Sequence, residues 1–238
     1  MKNQYFGDIN DYRKYGLLRA LTAATPLNCL VAWMLTPDDG STSGQFIKYL
    51  DEAHRWQHHD PELYNGLQSL MTRTQDRGVR LIERTNLLPN TRYYSEAVPD
   101  DGHSRMSWLD GLIQESKTAD LVFLDPDNGM EVKSKPFGRK HSSKFAYWHE
   151  VERLWSEGKS ILIYQHFIRE KRDLFTQRML QKLQEMTPGS QVTGYSTANV
   201  FFMAALQPTH HEHNDDWRDS VHRRWLGQIS FVHLNAMR

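Results

Sequence analysis

The stretch DLVFLDPDNGMEVK, residues 120–133, decides how the chain is read. Four apolar residues, 121–124, run without interruption into Asp125. A short continuous apolar run bounded by turn residues is the pattern of a buried strand. Pro126 cannot donate to a continuing central ladder, and Gly129 permits a sharp turn. The strand therefore stops at Asp125 and delivers three acids, Asp125, Asp127 and Glu131, into the turn that follows. A strand terminus with good turn chemistry is the plain reading of these residues; a cleft is the functional one.

Working outward, strand and helix patterns alternate. Residues 28–35 (NCLVAWML) and 160–167 (SILIYQHF) are apolar runs of strand length, and 79–84 (VRLIER) and 92–98 (RYYSEAV) are weaker strand candidates. Helices are predicted from Asp11 through the Leu17, Leu18, Leu21 stripe, over 45–56, after the Asp60-Pro61 start signal, from Asp101 to Lys117, around 149–155 and over 170–186. Residues 191–197 and 200–206 are separated by too few residues to be parallel neighbours, so they predict an antiparallel pair. A short helix around 217–225 and a strand over 229–234 close the chain.

Strands alternating with helices imply a mostly parallel sheet covered on both faces, here a single α/β domain over residues 1–238. Ligands of such sheets sit at the carboxyl ends of the strands. Three stretches fall there: residues 36–41 (TPDDGS), 125–131 (DPDNGME) and 165–167 (QHF). The N-terminal segment 1–24 and a basic loop at 133–144 would flank the cleft.

Bulk properties narrow the class. The 29 basic residues balance the 29 acidic ones, so nucleic-acid binding cannot rest on overall charge and needs a local patch. Residues 133–144 supply one, with five Lys or Arg, one His and no acid. Lys135, Arg139 and Lys140 are its candidate phosphate contacts. Mean hydropathy is negative and no apolar run approaches the length of a membrane span, which excludes a membrane partner. The opening residues carry no apolar signal segment and the single Cys29 has no disulfide partner, so a cytoplasmic protein is expected.

The acids support two chemistries. Asp125, on its Asp-Pro turn, can accept a hydrogen bond from an exocyclic amine. Alternatively Asp127 and Glu131, with Asp125 and His166, could hold Mg²⁺ or Mn²⁺ and serve a nuclease or phosphohydrolase, since hard cations prefer carboxylate oxygen. His166 is also a candidate proton carrier. The tract HHEH at 210–213 lacks a second ligand group at a defined spacing and reads as a loop.

The chain start, residues 5–19 (YFGDINDYRKYGLLR), resembles the opening of the bacterial 23S ribosomal RNA adenine-N6 methyltransferase family, whose pattern is Gly-Asn-x-x-Asp-x-x-Lys-His. Gly7, Asp8, Asp11, Lys14 and Tyr15 stand at that spacing, and Asp125-Pro126 at the place of its Asp-Pro-Pro-Tyr. The departures are Asp8 for Asn, Tyr15 for His, Asp127-Asn128 for Pro-Tyr, and no Gly-x-Gly loop after the first strand. The N-terminal and Asp-Pro-Asp-Asn-Gly stretches also resemble a second bacterial family without an assigned activity. The methyltransferase resemblance implies a three-layer Rossmann-like domain of the methyltransferase type, with a C-terminal antiparallel pair, binding S-adenosylmethionine. It implies Gly7, Asp8, Lys14, Thr36, Asp38 and Gly40 as cofactor contacts, Asp125 on the target amine, and a nucleic-acid substrate. A non-catalytic nucleic-acid-binding module on the same fold is the alternative from another class.

Overall fold

The computed structural model describes residues 1–40, 44, 46–73 and 76–235. Among them, β1 (Cys29–Ala32), β2 (Thr91–Tyr94), β3 (Leu121–Leu124), β4 (Ser160–His166), β5 (Gln191–Ser196), β6 (Val200–Leu206) and β7 (Ser230–His233) form one seven-stranded sheet. Its spatial order is β2-β1-β3-β4-β6-β5-β7. The first four are parallel; β6 runs antiparallel to β4, β5 to β6, and β7 to β5. The helices are α1 (Ile9–Ala24), α2 (Ala53–Trp56), α3 (Pro61–Arg73), α4 (Arg80–Glu83), α5 (Gly102–Ser116), α6 (Trp148–Ser156), α7 (Arg172–Met186) and α8 (His213–Trp225).

Alternate residues of each strand enter different cores. Cys29, Val31, Phe123, Leu162 and Tyr164 pack with Leu17 and Leu21 of α1, Leu63 of α3 and Trp217 and Trp225 of α8. Leu30, Ala32, Val122, Leu124 and Ile163 pack with Leu109 of α5, Val151 of α6 and Leu180 of α7. Because both faces are covered, the strands read as continuous apolar runs. Helix α1 lies tightly on α8: a β-carbon on Gly16 would come within 1.8 Å of the Trp225 ring.

Four local expectations change. Residues 80–83 are helical, not a strand; Val79 and Ile82 stand one turn apart and are both buried, so the period is helical. Of 28–35 only Cys29–Ala32 pairs in the sheet over successive residues, because Met34 turns away with φ of 47° and Leu35 makes a lone bridge to Ala97. Residues 48–56 form a 3-10 turn and then α2, broken at Glu52; Gln45, the start of that expected helix, lies outside the described residues. Helix α1 is capped by Asp8 rather than Asp11: the Asp8 carboxylate accepts from Asn10 N and Asp11 N. The antiparallel C-terminal pair is present, with β6 rather than β5 placed beside β4. Among the described residues no helix is long and apolar enough to cross a membrane.

Candidate functional site

A cavity of about 520 Å³ opens at the carboxyl ends of β3 and β4. Its walls come from three places: the chain start with the first turns of α1 (Met1, Tyr5, Asp8, Asn10, Asp11, Lys14), the turn 125–128, and Tyr164, His166 and Phe167 at the end of β4; Gly44 and Phe46 complete it. The volume is that of an ordinary small-ligand site. Asp8, Lys14, Asp125, Asp127 and His166, expected from sequence, meet here.

A buried charge chain runs through it. Spacing of three residues along α1 puts Asp8, Asp11 and Lys14 near one face. Lys14 Nζ lies 2.7 Å from Asp11 Oδ1 and 2.8 Å from Asp125 Oδ2. Burial opposes the ammonium charge, but the two carboxylates hold its pKa above the ordinary lysine range, so Lys14 is charged. Burial pushes the Asp125 carboxyl up, against the pull of Lys14 and the Met1 amine. That amine donates to Met34 O and Asp125 O, both at 3.1 Å, tying the ends of β1 and β3 together. The Asp11 carboxylate also accepts from Gly7 N and from Tyr15 OH.

Asp8 differs from the other acids. Burial first, and then the charge of Asp11, raise its carboxyl to about 7, although two backbone amides stabilise the anion. Tyr164 and His166 project from one face of β4, and their rings meet edge to face at 5.0 Å. Burial lowers the His166 imidazole below its usual range, so the ring is neutral at neutral pH.

The turn after β3 is fixed from behind. Gln165, on the opposite face from His166, accepts from Met130 N at 2.7 Å and donates to His166 O. Gly129 has φ of 91°, and a β-carbon there would stand 2.5 Å from the Gln165 amide. The turn presents Asp127 to the cavity. Lys2 Nζ and Lys144 Nζ stand 3.5 and 3.7 Å from Asp127 Oδ2, while Asp127 Oδ1 is buried and has no hydrogen-bond partner among the described residues.

The basic segment returns along this turn. Asn128 N donates to Lys144 O, Glu131 N to Ala146 O and Ala146 N to Gly129 O. Arg105, completely buried, grips it: two nitrogens pair with Glu150 and the same guanidinium donates to Ser142 O and Phe145 O. Asp100 accepts from His141 N and Ser143 N. Arg139 and Lys140 are exposed and Lys135 half-buried, and none of the three forms an ion pair among the described residues.

The remaining expected residues stand elsewhere. Glu131 is exposed and its carboxylate accepts from Trp148 N at the start of α6. Asp125 and Asp127 already face ammonium groups, and among the described residues no three His, Cys, Asp or Glu side chains are grouped to hold a metal ion. The donor set does not fit Mg²⁺ or Mn²⁺. Thr36, Asp38, Gly40 and Gly7 do not line the cavity. Residues 1–4 lie against the loop after β1: Thr36 N donates to Met1 O, Gln4 N to Asp38 Oδ1, and Lys2 pairs with Asp39. Residues 41–43 of that loop lie outside the described residues. Gly7 sits at φ of 81° under Met71. Cys29 is buried, and its thiol is pushed up to about 12 by that burial.

Sequence reading placed Phe167 at the ligand end but missed Tyr5, Phe46 and Tyr164, which complete an aromatic wall with it. Tyr164 was legible in principle, since a residue two before His166 on a strand shares its face. Phe46 reaches the cavity because Ile9 N donates to its carbonyl, a long-range contact without a sequence signal. No protein-family model matches this chain, and no curated protein matches it in sequence.

Proposed function

We propose that the chain is a methyltransferase-like enzyme that acts on nucleic acid, with S-adenosylmethionine as methyl donor. The observation that carries this reading is Asp127, which lines an aromatic-walled cavity at the carboxyl ends of the sheet and whose buried Oδ1 has no hydrogen-bond partner among the described residues. A buried acceptor left empty costs about 1–3 kcal/mol, so it is matched to a donor that arrives with a ligand. The exocyclic amine of a base is such a donor. Tyr5, Phe46, Tyr164 and Phe167 offer the faces on which a flipped base stacks, which compensates for Asn128 at the aromatic position of the resembling family.

The donor set also suits the cofactor. Carboxylates and aromatic faces attract a sulfonium and an amino group, and the rings accept an adenine. When bound, S-adenosylmethionine supplies an electrophilic methyl group. Asp127 would face its cationic parts or the target amine, and Asp8 the target amine. Lys14 acts indirectly in this reading: it holds Asp125 in place and favours its anion, and Asp125 orients the amine. Positioning and fixed charge then supply most of the rate. Lys135, Arg139 and Lys140 would hold the phosphate backbone. A parallel block ending in an antiparallel set agrees with the arrangement the resemblance implies.

The lie of residues 1–4 against the loop after β1 favours a second reading, a nucleic-acid-binding module without catalysis. Thermal denaturation separates the two. A ligand that binds only the native state at a hundred times its dissociation constant adds about 2.7 kcal/mol. Millimolar S-adenosylmethionine is expected to raise the melting temperature of the wild type and not of Asp127→Ala. RNA or DNA binding with no shift from the cofactor would establish the module instead.

A further inference from the structure

We infer that Asp8 is the proton acceptor of this cavity, taking the proton that the target amine gives up as its nitrogen is methylated. The inference rests on the methyltransferase reading above.

Geometry distinguishes Asp8 from its neighbours. Asp8 Oδ1 is anchored by Asn10 N at 2.7 Å and Asp11 N at 3.0 Å, while its second oxygen makes no hydrogen bond or ion pair among the described residues. The residue is 7% exposed and lines the cavity, so its second oxygen is the one left for a ligand to meet. The other acids of the cavity are each within 4 Å of a cation. Asp11 and Asp125 share Lys14, and Asp127 faces Lys2 and Lys144. A carboxylate paired to an ammonium is a poor base, because accepting a proton forfeits the pairing. Asp8 has no such partner among the described residues. Asp11, Arg13 and Lys14 on α1, Tyr49 in the turn before α2, and Tyr164 on β4 share its field. Burial and Asp11 prevail, and a carboxyl at about 7 is matched to proton transfer near neutrality.

The step balances. The nitrogen lone pair becomes the new N–C bond as the C–S pair passes to sulfur. The N–H pair then stays on nitrogen, its proton passes to Asp8 Oδ2, and the neutral acid later returns it to water.

Asp8→Asn tests this, because Asn caps a helix as well as Asp does while it cannot take the proton. Three measurements are compared in wild type and variant: ¹³C NMR titration of carboxyl-labelled aspartate, calorimetric binding of S-adenosylhomocysteine, and methyl transfer from S-adenosylmethionine to mixed-sequence single-stranded RNA and DNA. The variant is expected to lose one carboxyl resonance titrating near neutrality and to bind S-adenosylhomocysteine within a few-fold of wild type. Its methyl transfer should fall by about 100-fold, and the rise of rate through neutral pH should flatten. Wild-type protein that does not bind S-adenosylhomocysteine overturns the methyltransferase reading and the inference with it. Binding retained, with transfer by the variant within a few-fold of wild type, overturns the inference alone. If neither nucleic acid accepts methyl, the titration decides: an Asp8 resonance in the ordinary aspartate range overturns it, and one near neutrality supports it.

Discussion

Lys14 and Asp125, 111 residues apart in the chain, meet at 2.8 Å in the interior, each with 2% of its side chain exposed. The pair joins the first helix to the end of the central strand, and Asp11 shares the same ammonium. Lys14→Met would strip the buried Asp11 and Asp125 carboxylates of the ammonium they share, a change that costs about 3–5 kcal/mol. Urea denaturation near neutral pH should show that loss. With Lys14 gone the Asp125 pKa rises further, so the variant recovers part of its stability as pH falls and the carboxyl is neutralised. Adding Asp125→Asn should recover part of it at neutral pH as well. A loss independent of pH, and additive with Asp125→Asn, would show that Lys14 acts through packing instead.

Gly129 and Gln165 set the pose of the turn that carries Asp127. An alanine at 129 meets both an unfavourable φ of 91° and the Gln165 amide. Gly129→Ala is expected to cost about 1–3 kcal/mol from the backbone alone. It should also weaken ligand binding, because Gln165 must release Met130 N. Gln165→Ala removes the obstacle, so the double variant should be less destabilised than the sum of the singles. Chemical denaturation of the four proteins measures that coupling; strict additivity would refute the contact.

Much of the frame was legible in the sequence, for physical reasons particular to each element. Residues 121–124 and 161–164 are covered on both faces and are continuously apolar for that reason, and Asp125 marks the strand end. The placement of β6 between β4 and β5 was not legible, because hairpin partners can add to a sheet by either strand. Residues 80–83 misled because four residues are too few to separate a period of two from one of 3.6. At the site, Asp8, Lys14, Asp125, Asp127 and His166 stood out as charges or imidazole beside turn residues. The pairing of Lys14 with Asp125, the orphaned oxygen of Asp127 and the aromatic wall depend on distances between segments far apart in the chain. The strand-end rule placed Thr36, Asp38 and Gly40 near the cleft and the resemblance made them cofactor contacts, but residues 1–4 lie against that loop.

The basic loop allows a test independent of the cavity. Lys135, Arg139 and Lys140 carry no ion pair among the described residues, whereas Arg105 holds the loop through Glu150 and two carbonyls. Changing the three to Gln should leave the melting temperature nearly unchanged. It should weaken binding to single-stranded RNA or DNA uniformly across sequences and lower the slope of log affinity against log salt by about 2. Fluorescence anisotropy over a salt series reads this directly. An unchanged slope would remove the loop from the nucleic-acid surface. Arg105→Met, by contrast, strands the buried Glu150 carboxylate and should cost about 3–5 kcal/mol.

Asp8 makes stability depend on pH in a direction opposite to most carboxylates. Its folded-state pKa of about 7 lies above the ordinary 3.8. Between those values the folded chain holds a proton that the unfolded chain has lost, so raising the pH destabilises the fold across that window. The cost is complete above the folded pKa and absent below the unfolded one. Asp8→Asn keeps the cap and removes the titration. Its stability advantage over wild type should therefore be small near the lower end of the window and grow to about 2–4 kcal/mol above the upper end. Urea denaturation of both proteins at three pH values across the window measures the difference. An advantage that stays constant with pH would place the Asp8 carboxyl in the ordinary range and deny it the proton chemistry assigned above.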